Sequence, residues 1–118
     1  MILVDTSVWI NHLRRSNAKL AALLEEGQVA CHPFIIGELI LGNLSRDSEV
    51  PNLLAELSCV TLAEHHEVAA FVADHALQGS GIGWVDAHLL CSAALSDAKL
   101  WTLDGRLRSA AEGSGLQA

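Results

Sequence analysis

Two short apolar runs, each followed by an aspartate, constrain the fold of this chain most strongly. Ile2-Leu3-Val4 leads directly into Asp5, and Leu100-Trp101-Thr102-Leu103 leads into Asp104. Short, continuously apolar runs of this kind are typical of strands buried on both faces, as in a parallel sheet. Ligand sites of open parallel sheets gather at the carboxyl ends of the strands. Both aspartates therefore stand where a site should form, if their strands are close together.

Helical patterns alternate with the short strands along the whole chain. We predict strands at 2–4, 29–31, 60–62 and 100–103, and helices that begin after Thr6 or Ser7, after Asn17, at Pro33, near 53, at 64 (to 78), at 84 (to 96) and at 106. The last helix is expected to fray into a Gly-Ser tail. Strands that alternate with helices indicate βαβ units, so the predicted fold class is α/β with a central, mostly parallel sheet.

Composition favours one folded domain over residues 1–118. Hydrophobic residues make up 51% of the chain and charged residues 18%, which allows a core and argues against a mainly disordered chain. No apolar stretch approaches the roughly 20 residues of a membrane-spanning helix. The opening apolar run meets Asp5 at once, so we expect no signal peptide, no membrane association and a cytoplasmic protein.

The charge balance at first argues against a nucleic-acid partner. Fourteen acids against seven Lys and Arg give a formal net charge of −7, whereas proteins that neutralise phosphates are usually basic. If four of the acids bind metal, however, the remaining acids and bases nearly balance. The bases are also unevenly placed, with Arg14 and Arg15 after the first acidic motif and Arg106 and Arg108 after the last.

Two further acids lie in helices rather than after strands. Glu38 interrupts an apolar helix in which Ile35, Leu39 and Ile40 should pack inside, and Gly42 lies one turn beyond it, where it could leave clearance for a substrate. Asp86 follows a glycine-rich break and opens a helix. Each of the four acids also has an ordinary structural interpretation, because aspartates favour turns and helix caps and a glutamate can simply be exposed.

Taken together, the four acids predict a metal site. Bare carboxylates that share a pocket repel one another, and a divalent cation removes that conflict. Oxygen ligands favour Mg²⁺ or Mn²⁺ over zinc. Such a site is suited to attack of an activated water on a phosphodiester. A metal-free mechanism would need acid and base groups, commonly histidines, and the spacing of the six histidines does not suggest such a pair.

The same residues resemble the PIN-domain ribonucleases, and more closely the VapC-type toxins of bacterial toxin–antitoxin pairs. The resemblance is carried by the stretch from Val4 to Ile10, by Glu38 with Gly42, by the stretch from Gly83 to Leu90 and by the stretch from Leu100 to Asp104. It covers nearly the whole chain. It implies a three-layer α/β/α domain and an endoribonuclease that depends on Mg²⁺ or Mn²⁺.

The resemblance also implies residue roles and partners. Asp5, Glu38, Asp86 and Asp104 would form the catalytic, metal-binding quartet. Thr6, Ser7 and Thr102 stand where the family places supporting hydroxyls. Such toxins commonly form homodimers, and a small antitoxin silences them by covering the acidic groove with its C-terminal segment.

We take Arg14, Arg15, Arg106 and Arg108 as candidates for holding the RNA backbone. Three alternatives stay open at this point: a metal-dependent phosphatase of small molecules, a PIN-type nuclease of RNA maturation, and a non-catalytic module with an acidic groove. The number of metals and the target RNA are also open.

Overall fold

The computed structural model describes all residues from 1 to 118 and contains four strands and seven helices. In chain order they are β1 (Ile2–Val4), α1 (Thr6–Arg15), α2 (Ala18–Glu25), β2 (Val29–Cys31), α3 (Pro33–Leu41), α4 (Val50–Ala55), β3 (Ser58–Cys59), α5 (His65–Asp74), α6 (Trp84–Leu95), β4 (Lys99–Trp101) and α7 (Gly105–Gly113). None of the helices combines the length and the hydropathy needed to cross a bilayer.

The four strands form one parallel sheet in the order β3-β2-β1-β4. Leu3 at the centre of β1 pairs with Ala30 of β2 and with Leu100 of β4. From β1 the chain adds β2 and then β3 on one side of β1, and it then crosses the sheet to place β4 on the other side of β1. Because crossovers between parallel strands are right-handed, the helices before β3 and those between β3 and β4 cover opposite faces. The predicted α/β/α architecture is confirmed.

The predicted starts of α2 and α3 are confirmed. The Asn17 side chain accepts a hydrogen bond from the Leu20 amide at 3.0 Å and so caps α2. Pro33 occupies the first turn of α3, where its missing donor costs nothing. The prediction that Thr6 or Ser7 caps α1 was wrong: the N-cap position belongs to Asp5, and both hydroxyls lie within the first turn and donate to carboxylates instead.

Three predicted boundaries were also wrong. The third strand lies at Ser58–Cys59 rather than at 60–62, because its register is set by pairing with β2. Strand β4 ends at Trp101, since the Thr102 side chain accepts the Asp104 amide at 3.0 Å and turns the chain. Helix α5 ends at Asp74 rather than at 78, and Ala76 beyond it adopts a positive φ of 51°.

The C-terminal tail does not fray. The Leu100 amide donates to the Leu116 carbonyl at 2.7 Å, and the Ala118 amide donates to the Leu100 carbonyl at 2.9 Å. The Leu116 side chain is only 9% exposed and belongs to the core. The tail thus covers the outer edge of β4, which would otherwise present unpaired backbone groups.

This docking predicts a stability difference between two neighbouring tail residues. Leu116→Ala should lower the free energy of unfolding by about 2 kcal/mol, because it removes a buried side chain, while Gln117→Ala at an exposed position should change it by less than about 0.5 kcal/mol. Urea denaturation of both variants checks this. Equal, small effects would show that the tail is not packed in solution.

Candidate functional site

The four predicted acids come from four separate places in the fold and meet at the carboxyl end of the sheet. Asp5 follows β1, Glu38 lies in α3, Asp86 lies in the first turn of α6, and Asp104 immediately precedes α7. The charge on Asp5 acts on both Glu38 and Asp86, and the charge on Asp104 acts on Asp86. The quartet is therefore one electrostatic unit.

Asp5 is the most firmly held of the four carboxylates. It is only 7% exposed. Its Oδ2 atom accepts a hydrogen bond from the Thr102 hydroxyl at 2.7 Å and another from the Ser7 hydroxyl at 3.0 Å. Since a buried charge is costly unless hydrogen-bonded, these two hydroxyls make an ionised Asp5 compatible with its position.

The same two hydroxyls also accept hydrogen bonds from the loop after β4. The Ser7 oxygen accepts the Leu103 amide, and the Thr102 oxygen accepts the Asp104 amide, each at 3.0 Å. With their protons directed at Asp5 and their lone pairs directed at this loop, they connect the ends of β1 and β4. The loop that carries Asp104 is thereby fixed relative to Asp5.

Glu38 is held by the third predicted hydroxyl. The Thr6 hydroxyl donates to Glu38 Oε1 at 3.0 Å, which links α1 to α3. Burial raises the pKa of Glu38, the Thr6 hydrogen bond opposes that rise, and the charges of Asp5 and Asp86 add to it. Ile35 and Leu39 are buried as predicted, but Ile40 is 57% exposed, because it lies on the outward side of α3.

Asp86 folds back onto the glycine-rich segment before it. Its Oδ2 atom accepts a hydrogen bond from the Gly83 amide at 2.9 Å, so the residue supports the start of α6. Burial raises the pKa of Asp86, the Gly83 hydrogen bond lowers it, and the charges of Asp5 and Asp104 raise it further.

Asp104 has the ordinary structural role that the sequence left open. It occupies the N-cap position of α7, and its Oδ1 atom accepts the Leu107 amide at 2.9 Å. That bond occupies one oxygen and leaves Oδ2 without a protein partner. The cap therefore orients the Asp104 carboxylate and leaves its Oδ2 atom available to a ligand.

The donor set fits a hard divalent cation. In each of the four acids one oxygen holds a hydrogen bond and the other is without a protein donor. No three His, Cys, Asp or Glu side chains stand close enough together to enclose an ion by themselves. Mg²⁺ does not require such an enclosure, because it keeps several waters and takes only one or two carboxylates from the protein.

The four predicted basic residues are not gathered at the acids. Arg14 lines a cavity of about 320 Å³ together with Glu38 and Gly42. The Arg108 guanidinium approaches the Thr102 carbonyl at 3.4 Å. Arg106 lies against Gly81 and lines a separate cavity with none of the acids, and Arg15 is exposed at the end of α1.

Two features of the site were missed from the sequence. One is the Gly83 amide that holds Asp86, for which the glycine-rich break was the available signal. The other is a row of aromatic rings formed by Phe34, His88, Trp84 and His65, of which the sequence indicates only Trp84, just before the Asp86 turn, as a residue that could line the groove and stack on a base. These residues come from three helices, so no local sequence pattern could have shown the row.

Comparisons with known proteins show the family of the chain. The sequence profile of the PIN domain matches residues 2–113. Ribonuclease VapC32 of Mycobacterium tuberculosis, in two strains, is 48% identical over 117 residues, which are 98% of this chain and 94% of the relative. The crystal structure of FitAcB from Neisseria gonorrhoeae superposes with a TM-score of 0.61 at 25% identity, and the match covers 95% of this chain and 94% of that one.

The matched region contains all four acids and every strand of the sheet. The chain therefore belongs to the PIN-domain family, among its VapC-type members.

Proposed function

We propose that this chain is a metal-dependent endoribonuclease that acts as the toxin of a toxin–antitoxin pair. The observation that carries the proposal is the acidic unit itself: four carboxylates from distant parts of the chain, each oriented through one oxygen and open at the other. The relation to a protein named as a ribonuclease supports RNA as the substrate. The protein acts as a single domain in the cytoplasm.

Asp5 and Asp86 would hold the principal Mg²⁺ or Mn²⁺ directly, and Asp104, which is not close enough to form a three-carboxylate set with them, would act on it through water. When bound, the metal supplies Lewis-acid stabilisation of the phosphate and lowers the pKa of water. Ser7 and Thr102 keep the free Asp5 oxygen aimed at the site, because both donate to the other oxygen. Thr6 does the same for Glu38.

Glu38 is suited to receive a proton from the attacking water, or to bind a second cation. Its Oε1 atom is fixed by Thr6, which leaves Oε2 to accept. Its raised pKa makes it a stronger base than an ordinary glutamate. Attack by water leaves a 5′-phosphate and a 3′-hydroxyl, whereas a 2′,3′-cyclic phosphate would require attack by the ribose.

Arg14 is the basic residue best placed to hold the RNA backbone. It shares a cavity with Glu38, and the guanidinium is the side chain best matched to phosphate. Arg108 is a second candidate, near Thr102. Arg15 and Arg106 share no cavity with the acids and have less support as contacts of the RNA backbone.

An apolar cavity next to Glu38 can bind the antitoxin segment. Ile10, Leu13, Leu39 and Leu44 line the cavity that contains Glu38. A second apolar cavity of about 230 Å³ continues along Leu13 towards Leu53. We propose that apolar side chains of the antitoxin's C-terminal segment fill this surface and that a cation at its end meets the carboxylates. The homodimer implied by the resemblance stays part of the proposal.

Cleavage of a mixed RNA pool tests the nuclease. The purified, antitoxin-free protein should cut RNA with Mn²⁺ or Mg²⁺, stop in EDTA, and leave 5′-phosphate ends. Asp5→Asn should reduce the rate at least about 100-fold, because it removes a ligand charge, while Asp47→Asn in an exposed loop should cut normally.

Cyclic phosphate ends would refute the mechanism. A folded protein that neither cuts RNA nor gains thermal stability from metal would favour the non-catalytic binding module.

Neutralising Glu38 should stabilise the metal-free protein. Because burial raises the pKa of Glu38, the folded state binds more protons than the unfolded state between the ordinary and the raised pKa, and stability falls as pH rises through that window. Glu38→Gln should therefore raise the melting temperature in EDTA at pH 8 by a few degrees, lose that advantage near pH 4, and slow cleavage.

Differential scanning fluorimetry measures this, with the exposed Glu26→Gln as the matched control. A Glu38→Gln variant that melts below wild type at pH 8 in EDTA would show that the Glu38 charge does not destabilise the metal-free protein.

A further inference from the structure

Four aromatic rings form a continuous row at the surface, and the buried His32 ring packs against its Phe34 end at 4.7 Å between centroids. The Phe34 ring lies 5.2 Å from His88, His88 lies 5.3 Å from Trp84, and Trp84 lies 5.0 Å from His65, measured between ring centroids. The first two contacts are edge-to-face, at 66° and 85° between ring planes. Edge-to-face packing leaves ring faces uncovered for another flat molecule.

The two large rings of the row are more exposed than the other Trp and Phe side chains of the chain. Phe34 is 41% exposed and Trp84 is 44% exposed, while Trp9 and Phe71 are buried in the core and Trp101 is partly buried. The chain has only three Trp, two Phe and no Tyr. Two of its five large aromatic residues are therefore presented to solvent in one place, as an aromatic surface that a flat partner can cover.

The row begins beside one of the proposed catalytic acids. Phe34 lies one turn before Glu38 on the same side of α3. The Phe34 ring contacts His88 of α6, where Trp84 and His88 share a side of the helix that Asp86, two residues from each, does not share. An RNA strand bound at the carboxylates through its phosphate would therefore meet the row at Phe34.

The chemistry of the row suits nucleobases better than phosphates or charged peptides. Phe34 and Trp84 carry no ionisable group. No Lys, Arg, Asp or Glu side chain belongs to the row. Neutral aromatic faces stack on every base and need no hydrogen-bond pattern to do so.

We propose that Phe34, His88, Trp84 and His65 form a base-stacking platform for single-stranded nucleotides that flank the cleaved bond. This inference rests on the proposed ribonuclease function and adds the manner in which the substrate is held. Trp84 and Phe34 are the contact residues. His88 stands between them and keeps the two large rings in place.

The test is the binding of a fluorescein-labelled, mixed-sequence RNA dodecamer, followed by anisotropy with Mg²⁺ in the Glu38→Gln background, which slows cutting and leaves Asp5 and Asp86 to hold the metal. Adding Trp84→Ala should raise the Kd about tenfold, and Trp84→Phe should restore most of the affinity. Leu95→Ala is the matched control, because Leu95 is 46% exposed at the other end of the same helix.

An abasic strand of the same length separates stacking from general damage. It should bind weakly, and the Trp84→Ala substitution should not change its affinity further. An unchanged Kd for the dodecamer in Trp84→Ala, or an equal loss with the abasic strand, would overturn the platform. So would a change from dimer to monomer in sedimentation, which would make the row an interface between copies.

Wild-type cleavage, measured in parallel, distinguishes the two claims. If wild type cuts RNA and Trp84→Ala binds it normally, only the platform fails. If wild type neither cuts nor binds RNA, the proposed function fails, and the platform fails with it.

Discussion

The pair of hydrogen bonds from Ser7 and Thr102 to the buried Asp5 carboxylate is the interaction on which the site depends. It joins the ends of two adjacent parallel strands, β1 and β4, at the edge where ligands bind in such sheets. It also fixes the loop that leads to Asp104, through the amides of residues 103 and 104. Without those hydroxyls, Asp5 would be a buried charge without donors, and the site would lose its fixed centre.

The fold brings the negative charges of four carboxylates close together without pairing any of them with a basic side chain. Glu38 and Asp86 are partly buried, and each has a raised pKa to which neighbouring carboxylates contribute. No lysine or arginine forms an ion pair with any of the four acids. The protein thus accepts a stability cost at the place where a cation would remove it, which is the expected relation between strain and function. It also reconciles a chain of net charge −7 with a phosphodiester substrate.

The parts of this structure that were predictable from sequence are those determined by residues close together in the chain. The strand 2–4, the Asn17 cap, the Pro33 helix start and the four acids each have a signal within a few residues. The parts that were not predictable depend on tertiary partners. The position of β3 is set by β2, the tail is ordered by the edge of β4, and the aromatic row joins three helices. Asp104 shows that one carboxylate can have both a structural and a functional role, because one oxygen caps a helix and the other has no protein partner.

We propose that Asp5, oriented by hydroxyls, is the core of a metal site. The most direct measurement is Mn²⁺ binding, followed by electron paramagnetic resonance, for wild type, Asp5→Asn, Thr102→Val and the control Asp47→Asn. Asp5→Asn should remove most of the binding. Thr102→Val should weaken binding about 10- to 100-fold, although Thr102 need not touch the ion, because the orientation of the ligand is lost. Asp47→Asn should bind like wild type. Equal Mn²⁺ affinity in all four proteins would contradict the account.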